Sequence, residues 1–477
     1  MSDGPSLTLR CAGCATTVDP LDPAVLLPFR CPTAPRAPNI DHVLGWDPVS
    51  AGVVSWPNDT SRNPFIRYRT LQHSYWLARA RGLTDVDYVA LVTRLDHAVA
   101  GVAGIAGIEG RGFGVTPFLP LDGAEAALGV EVWAKNDTGN VAGSHKSRHL
   151  FGILLHIEAR KTYARSPLAI ASCGNAALAA ATIAKAVRRP IRVHVPADAD
   201  PATLHLLTQL GATIDLCARQ PADPPGDPCI HRFHESLAHG ALPFCVQGSE
   251  NGLTIDGGAT IGHELADQFA MLGSVPDRLF VQVGGGALGS SLVRGLADAV
   301  ALGVIERLPV VHFVQTEKCA PLARAWRKVA DRALHSIGAE ATNPNDADTA
   351  ATLLLPASKG AVEEALLFAA SHRNSHMWPW EDTPNSVATG ILDAEAYDWL
   401  SLVRSMLTTG GWPLVVAEET LHRANALVLA GHAGEPGIEA DATGSASLAG
   451  AIALHEAGHL QPASRIVATI TGVRRSR

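Results

Sequence analysis

From about Gly112 onward, short apolar and β-branched runs alternate with Ala- and Leu-rich stretches of about a dozen residues. No other feature constrains the fold as strongly. Val130–Ala134, Leu168–Ala171, Ile191–Val195, Thr213–Leu216, Leu279–Val283 and Val310–Gln315 read as strands, and a late run from Ile466 to Ile470 reads as a buried strand. Ser147–Arg160, Ala176–Val187, Ala202–Leu210, Thr260–Leu272 and Ser290–Leu302 read as helices. Strand and helix in turn imply an α/β protein of βαβ units, with parallel sheets covered on both faces. A chain of 477 residues exceeds one compact core. The expected division is an N-terminal extension over 1–111, an α/β domain over 112–255 and a second α/β domain over 256–477. Within the extension, the pattern from about Pro64 to Gly104 is helical, with Val86 among the residues at helical spacing and the aromatics Tyr75, Trp76 and Tyr88 expected to pack. Residues 220–227 and 336–349 read as a loop and a polar linker.

A net charge of −8 and only 5% aromatic residues exclude a basic, base-stacking nucleic-acid face. No apolar run reaches the roughly 18 residues that a membrane span needs. The opening MSDGPSLTLR lacks a basic flank followed by an apolar core. No nucleic acid and no membrane are therefore expected as partners, and the cytoplasm is the expected location. The eight cysteines are scattered, as free thiols in a reducing compartment would be.

Three segments carry chemistry. In the first, Lys135-Asn-Asp-Thr-Gly-Asn-Val-Ala-Gly-Ser-His-Lys146, a strand leads into a helix. Lys146 then stands at a helix start near the carboxyl end of a strand, where ligands collect in α/β sheets. A lysine there can form an imine with an aldehyde and move the substrate's proton; the plain alternative is a surface lysine. In the second, Ser172-Cys-Gly174-Asn175, small residues between strand and helix let backbone approach a planar ring and a carboxylate, and the Asn175 amide can donate to a phenolic oxygen. An ordinary helix cap would look the same. In the third, Gly284-Gly285-Gly286-Ala287-Leu288, consecutive glycines aim main-chain N–H groups at one anion, for which a phosphate is the natural guest. It is neither a Walker loop nor a convincing dinucleotide fingerprint, and tight packing alone is its plain alternative.

In this order the three resemble the fold type II pyridoxal-phosphate (PLP) enzymes, the tryptophan synthase β-chain superfamily, over roughly residues 112–477. The resemblance implies the two-domain parallel-sheet architecture of that group, with pyridoxal 5′-phosphate as cofactor. It implies that Lys146 carries the cofactor, that Ser172, Gly174 and Asn175 hold the substrate carboxylate and the cofactor 3′-oxygen, and that Gly284, Gly285, Gly286, Ala287 and Leu288 hold the 5′-phosphate. It places Lys146 and the Ser-x-Gly-Asn loop in the first α/β domain and the phosphate loop in the second. Gly257-Gly-Ala-Thr260-Ile-Gly-His-Glu264 resembles the family's helix before the phosphate strand. Asp441-Ala-Thr-Gly-Ser resembles its late Glu-Pro-Ser/Thr-Gly segment, and Thr471-Gly472 resembles the terminal Thr-Gly that sets a hydroxyl beside the pyridine nitrogen.

Within the superfamily the chain is most similar to threonine synthases and their relatives, by Cys11-x-x-Cys14, Val115-Thr-Pro-Phe and the Thr-Gly terminus. It departs from them at His145, where Phe is common, and at Asn140-Val-Ala-Gly, where Asn-Pro-Thr-Gly is common. Cys11, Cys14 and Cys31 resemble the family's small zinc ribbon, but the ribbon's fourth cysteine soon after Cys31 is absent and tetrahedral zinc wants four ligands. His42 would complete the set only by an unusual spacing, so a metal-free, degenerate ribbon is expected. The resemblance implies a lyase or synthase that eliminates at Cβ or Cγ of an amino acid, with or without replacement, in a homodimer. Serine/threonine dehydratase or racemase chemistry is the alternative within the fold. A PLP-binding pseudoenzyme is the alternative of another class, disfavoured because Lys146 and Asn175 are both present.

Overall fold

The structure, a computed structural model, describes residues 4–22, 25, 29–103, 110–161, 166–224, 226–339, 347–355, 359–431 and 436–475. Three strands near the N-terminus, β1 (Leu9–Cys11), β2 (Thr17–Val18) and β3 (Leu44–Gly45), pair antiparallel in the order β2-β1-β3. Then come β4 (Phe118–Pro120), β5 (Glu131–Asn136), β6 (Leu168–Ala171), β7 (Ile191–Pro196), β8 (Thr213–Cys217), β9 (Leu242–Pro243), β10 (Arg278–Gln282), β11 (Val310–Thr316), β12 (Leu414–Val416) and β13 (Arg465–Ile470). The smaller sheet is parallel throughout, in the order β8-β7-β6-β9. The larger has the order β12-β11-β10-β13-β5-β4 and is parallel except where β4 runs against β5.

Strand pairing crosses the expected domain limits. β4 and β5 lie in the first expected α/β domain, yet they pair into the sheet built mostly from residues after 256, because β13 returns between β5 and β10. Nor does the extension stand apart. Leu9, Trp46, Phe65, Tyr68 and Tyr88 share one continuous core with the helices and strands of the smaller sheet. The helical stretch after Pro64 is broken into Pro64–Arg67, a 3-10 turn over Arg69–Leu71, His73–Ala80 and Asp85–Ala100. Gly82 has φ +90°, and Thr84 and Asp87 then form a reciprocal cap that starts the last helix. Tyr75 and Tyr88 pack inside as expected, whereas Val86 is 75% exposed. The linker over 336–349 is shorter than expected: a helix runs to Ser336 and another starts at Ala347, and residues 340–346 lie outside the described set.

Helices cross closely where neither has a side chain. A Cβ on Gly152 would fall 2.4 Å from the Gly257 Cα, and one on Gly262 would fall 2.9 Å from the Gly295 Cα. These contacts stack helix Lys146–Arg160 on Leu253–Gly258, and helix Thr260–Leu272 on Ala287–Ala301. Among the described residues no helix is long and apolar enough to cross a membrane.

The larger sheet buries His312 of β11 between Phe280 (centroids 5.3 Å apart, stacked) and Trp412 (4.5 Å, edge-on). Its Nδ1–H donates to the Trp412 carbonyl (3.0 Å), and its Nε2 accepts from Arg278 (2.7 Å). Burial first, and the Arg278 charge second, hold its pKa down to about 3. The unfolded ring titrates near about 6.5, so the native state favours the neutral ring. Its stabilisation is complete above about pH 6.5 and is lost as pH falls toward 3. We predict that urea unfolding at neutral pH and at about pH 4.5 shows a smaller acid-induced loss for His312→Gln than for the native protein. Equal losses would remove His312 from the account.

Candidate active site

Three of the chemical segments leave neighbouring strands at one edge. β5 ends at Asn136 and runs into the loop that carries Lys146, β13 ends at Ile470 just before Thr471, and β10 ends at Gln282 just before the glycine loop. Since β13 lies between β5 and β10, parallel pairing brings the three carboxyl ends side by side. The Ser172–Asn175 loop leaves the carboxyl end of β6 in the other sheet. Arg475 ties it to the rest, donating to Asn175 Oδ1 (2.5 Å) and to the Ala142 carbonyl (2.6 Å). The Asn175 oxygen is thereby engaged while its amide N–H groups stay available. Ser172 and Asn175 are half-buried and Gly174 is exposed, so this loop is open to a solute.

Lys146 is the first residue of its helix and half-buried. Burial lowers the pKa of its amine, opposed by Asp393 and then Asp398. Neither aspartate stood out in the sequence. Asp398 holds the N-cap position of helix Trp399–Thr409 yet makes no capping bond, and its buried carboxylate is approached only by the Gly248 N–H. Burial, then the Asp41 charge, pushes it up to about 8. Both ring nitrogens of His145 are buried and unpartnered, and burial followed by the Lys146 charge holds that ring neutral. The only sequence signal for Asp398 was an aspartate before an apolar helix, which reads as an ordinary cap.

Gly284 and Gly285 are buried and half-buried, and Gly286 has φ +101° at the start of helix Ala287–Ala301, which has no side-chain cap. Uncapped N–H groups at a buried helix start suit an anion. A Cβ on Gly285 would meet Tyr397 at 3.0 Å and one on Gly284 would meet Asp393 at 2.3 Å, so the segment from Ile391 to Asp398 lies directly over the loop. The Asp393 carboxylate accepts from the Gly285 N–H, and burial raises its pKa, which favours the neutral form beside an incoming anion. Thr471 is 2% exposed; its Oγ1 accepts from Gln282 Nε2 (2.7 Å). Gln282 is oriented in turn by Thr469, which donates to its Oε1 (2.6 Å), so the Thr471 O–H is left free to donate.

Beneath the site lies a buried ionic network. Arg148 pairs with Asp137 (2.8 Å) and Glu264 (2.7 Å), Lys135 pairs with Glu264 (2.6 Å), and all four side chains are 0–1% exposed. Burial alone would raise both carboxyls, but Arg148 and then Lys135 outweigh it and hold them below the ordinary carboxylate range. Glu264, in the sequence only part of a motif, thus fixes both ends of the Lys135–Lys146 segment. Thr116 adds N–H and O–H bonds to it at 3.0 and 3.1 Å.

A half-buried lysine, a glycine-rich helix start without a side-chain cap and a buried hydroxyl gather near the carboxyl ends of parallel strands, an arrangement that suits an α/β enzyme holding a phosphorylated aldehyde. The buried, unpartnered ring nitrogens of His145 beside Lys146 fit such a guest. The chain belongs to the family described as pyridoxal-phosphate dependent enzyme, which it matches over residues 110–373, and its cofactor is pyridoxal 5′-phosphate. It is 23% identical over 363 residues to threonine synthase of Methanocaldococcus jannaschii, covering 75% of this chain and 74% of that one. It is 28% identical over 221 residues to L-serine dehydratase of Saccharomyces cerevisiae, covering 44% and 63%. The processed form of threonine deaminase isoform 2 from Solanum lycopersicum shares the fold, with a TM-score of 0.54 at 15% identity, over 83% of this chain and 86% of that one.

Glu264→Ala would leave Arg148 and Lys135 buried without their shared partner. It should cost about 3–5 kcal/mol of unfolding free energy by urea titration, as the loss of one member of a buried pair does. A loss under about 1 kcal/mol, the surface-pair range, would show that the network is solvated in solution.

Proposed function

We propose that the protein is a lyase or synthase that eliminates a group from Cβ or Cγ of an amino acid, with or without replacement, in the manner of threonine synthases. The observation that carries this reading is the Thr469–Gln282–Thr471 relay, which presents a neutral hydroxyl rather than a carboxylate at the end of β13. Beside a ring nitrogen, a hydroxyl supplies no proton charge, and the weaker electron sink favours elimination over transamination.

Bound at this site, the cofactor supplies the electron sink and the aldehyde. The chain's residues do the rest. Lys146 would hold the aldehyde through Nζ and, when the substrate's amine has taken its place there, its freed amine would accept the α-proton, helped by the burial that lowers its pKa. Gly284 to Leu288 would hold the 5′-phosphate through main-chain N–H groups, the Asn175 amide would donate to the 3′-oxygen, and Ser172 with Gly174 would receive the substrate carboxylate. Asp398, pushed up to about 8 by burial, keeps a proton near Lys146 that a leaving group could take. Dehydration of serine or threonine needs the same groups and no second substrate. The need for an acceptor therefore separates the two readings.

Borohydride reduction of the holoenzyme followed by peptide mapping should label Lys146, and Lys146→Ala should lose turnover by several orders of magnitude while its circular dichroism is unchanged. A label at Lys135 or Lys161 would refute the assignment. Thr471→Asp should shift the cofactor absorbance and slow the native reaction with an amino-acid panel. An aspartate variant with unaltered spectrum and rate would mean that Thr471 only closes its strand.

A further inference from the structure

The N-terminal ribbon brings together a group of side chains that the active site does not use. The Cys11 sulfur lies 3.5 Å from His42 Nδ1 and the Cys14 sulfur 3.6 Å from that of Cys31. These four ligand atoms all lie within 4.8 Å of one another, and Cys11, Cys31 and His42 are buried. Zinc at about 2.3 Å from sulfur and about 2.0 Å from nitrogen, with tetrahedral angles, has edges of about 3.8 Å between sulfurs and about 3.5 Å from sulfur to nitrogen. The two close pairs match edges of that tetrahedron.

The surroundings are arranged for thiolates and a neutral imidazole. His42 Nε2 lies 3.0 Å from the Ala37 carbonyl, which can only accept, so the ring proton sits on Nε2 and Nδ1 offers its lone pair. The backbone N–H groups of Gly13 and Cys14 are directed at the Cys11 sulfur. The Thr33 hydroxyl lies 3.2 Å from the Cys14 sulfur and 3.0 Å from the Cys31 sulfur. A Cβ on Gly13 would fall 1.8 Å from the Asp41 carbonyl oxygen, so the missing side chain is what lets the segment bearing His42 lie against the Cys-x-x-Cys turn. A metal-free ribbon would need neither this convergence nor donors aimed at sulfur.

We propose that Cys11, Cys14, Cys31 and His42 bind one structural zinc ion, with His42 in the place of the fourth cysteine that the sequence lacks. The ion pins residue 42 and with it Asp41, whose N–H donates to the Ala370 carbonyl (2.8 Å) and whose carboxylate accepts from Trp399 Nε1 (2.9 Å). Trp399 directly follows Asp398, so the ribbon anchors the helix start that faces Lys146.

Protein produced with zinc and kept reduced should contain one zinc per chain by elemental analysis, and X-ray absorption should give three sulfurs and one nitrogen around it. Cys14→Ser and His42→Ala should each lose the metal and lower the thermal midpoint. His42→Cys should keep one zinc and convert the shell to four sulfurs. If the loss variants fail to fold, cobalt substitution of the native protein gives an independent readout, as visible d–d bands of tetrahedral intensity with thiolate charge transfer. A native protein without zinc, a Cys14–Cys31 disulfide in its place, or zinc that leaves with Cys217→Ser would each overturn the proposal. Cys217 tests the other cluster of ligating groups, His194, Asp215 and Cys217.

Discussion

Four charges without solvent, Arg148, Lys135, Asp137 and Glu264, hold the site in register. Taken alone, each would cost several kcal/mol to bury; together they are neutral, and each is bonded to an opposite charge within 3 Å. Lys135 lies at the end of β5, Asp137 opens the loop, Arg148 lies in the first turn of the helix after it, and Glu264 belongs to a helix from the other half of the chain. The loop that carries Lys146 is thus clamped at both ends to a third element. Arg148 also takes Thr260 (3.1 Å) and Thr116 (3.1 Å), so its planar donor fork is fully used. A lysine at position 148 could not bridge two carboxylates and two hydroxyls in one plane.

With the frame fixed, the electrostatics around Lys146 follow from what is left unpaired. His145 and His149 flank the lysine as buried neutral rings, His149 held down to about 3 by burial and then by the Lys146 charge. Its Nδ1 lies 2.9 Å from the Thr254 carbonyl, which fixes the ring. The acids that act on the amine, Asp393 and Asp398, are themselves pushed toward their neutral forms by burial. A lysine set among neutral rings and reluctant carboxylates has its amine held toward the neutral form.

The parts legible in the sequence were local ones. A strand, a small-residue turn and a helix start announce themselves within a dozen residues, so Lys146, Ser172 to Asn175 and the glycine loop stand out, and the helix and strand limits mostly fall within a residue or two. What escaped depends on meetings between distant segments. Asp398 reads as a cap until its carboxylate is seen to make no capping bond. His42 reads as too far from Cys31 until Gly13 is seen to admit its segment. β12, three residues long, and the antiparallel β4 have no periodicity to read. The pairing of β5 with β13 was not legible either, because nothing near residue 131 indicates that its strand partner comes from the other end of the chain.

That topology governs how the site comes into being. β13 is the last strand made, yet it is the central partner on which β5 and β10 both depend, residue for residue from Arg465 against Glu131 and from Ile466 against Arg278. Until it inserts, β5 has only the short antiparallel β4 beside it, and β10 has only β11. Contacts of such long sequence separation form late, because loop closure must be met before they contribute. Thr471, Gln282 and the lysine loop therefore acquire their relative positions in one event, the docking of Arg465–Ile470. The ionic network and the glycine crossings can form earlier, since they join residues 116 to 148 with 253 to 295. Thr471 and its Gln282 partner thus meet only when the strand that completes the sheet is in place.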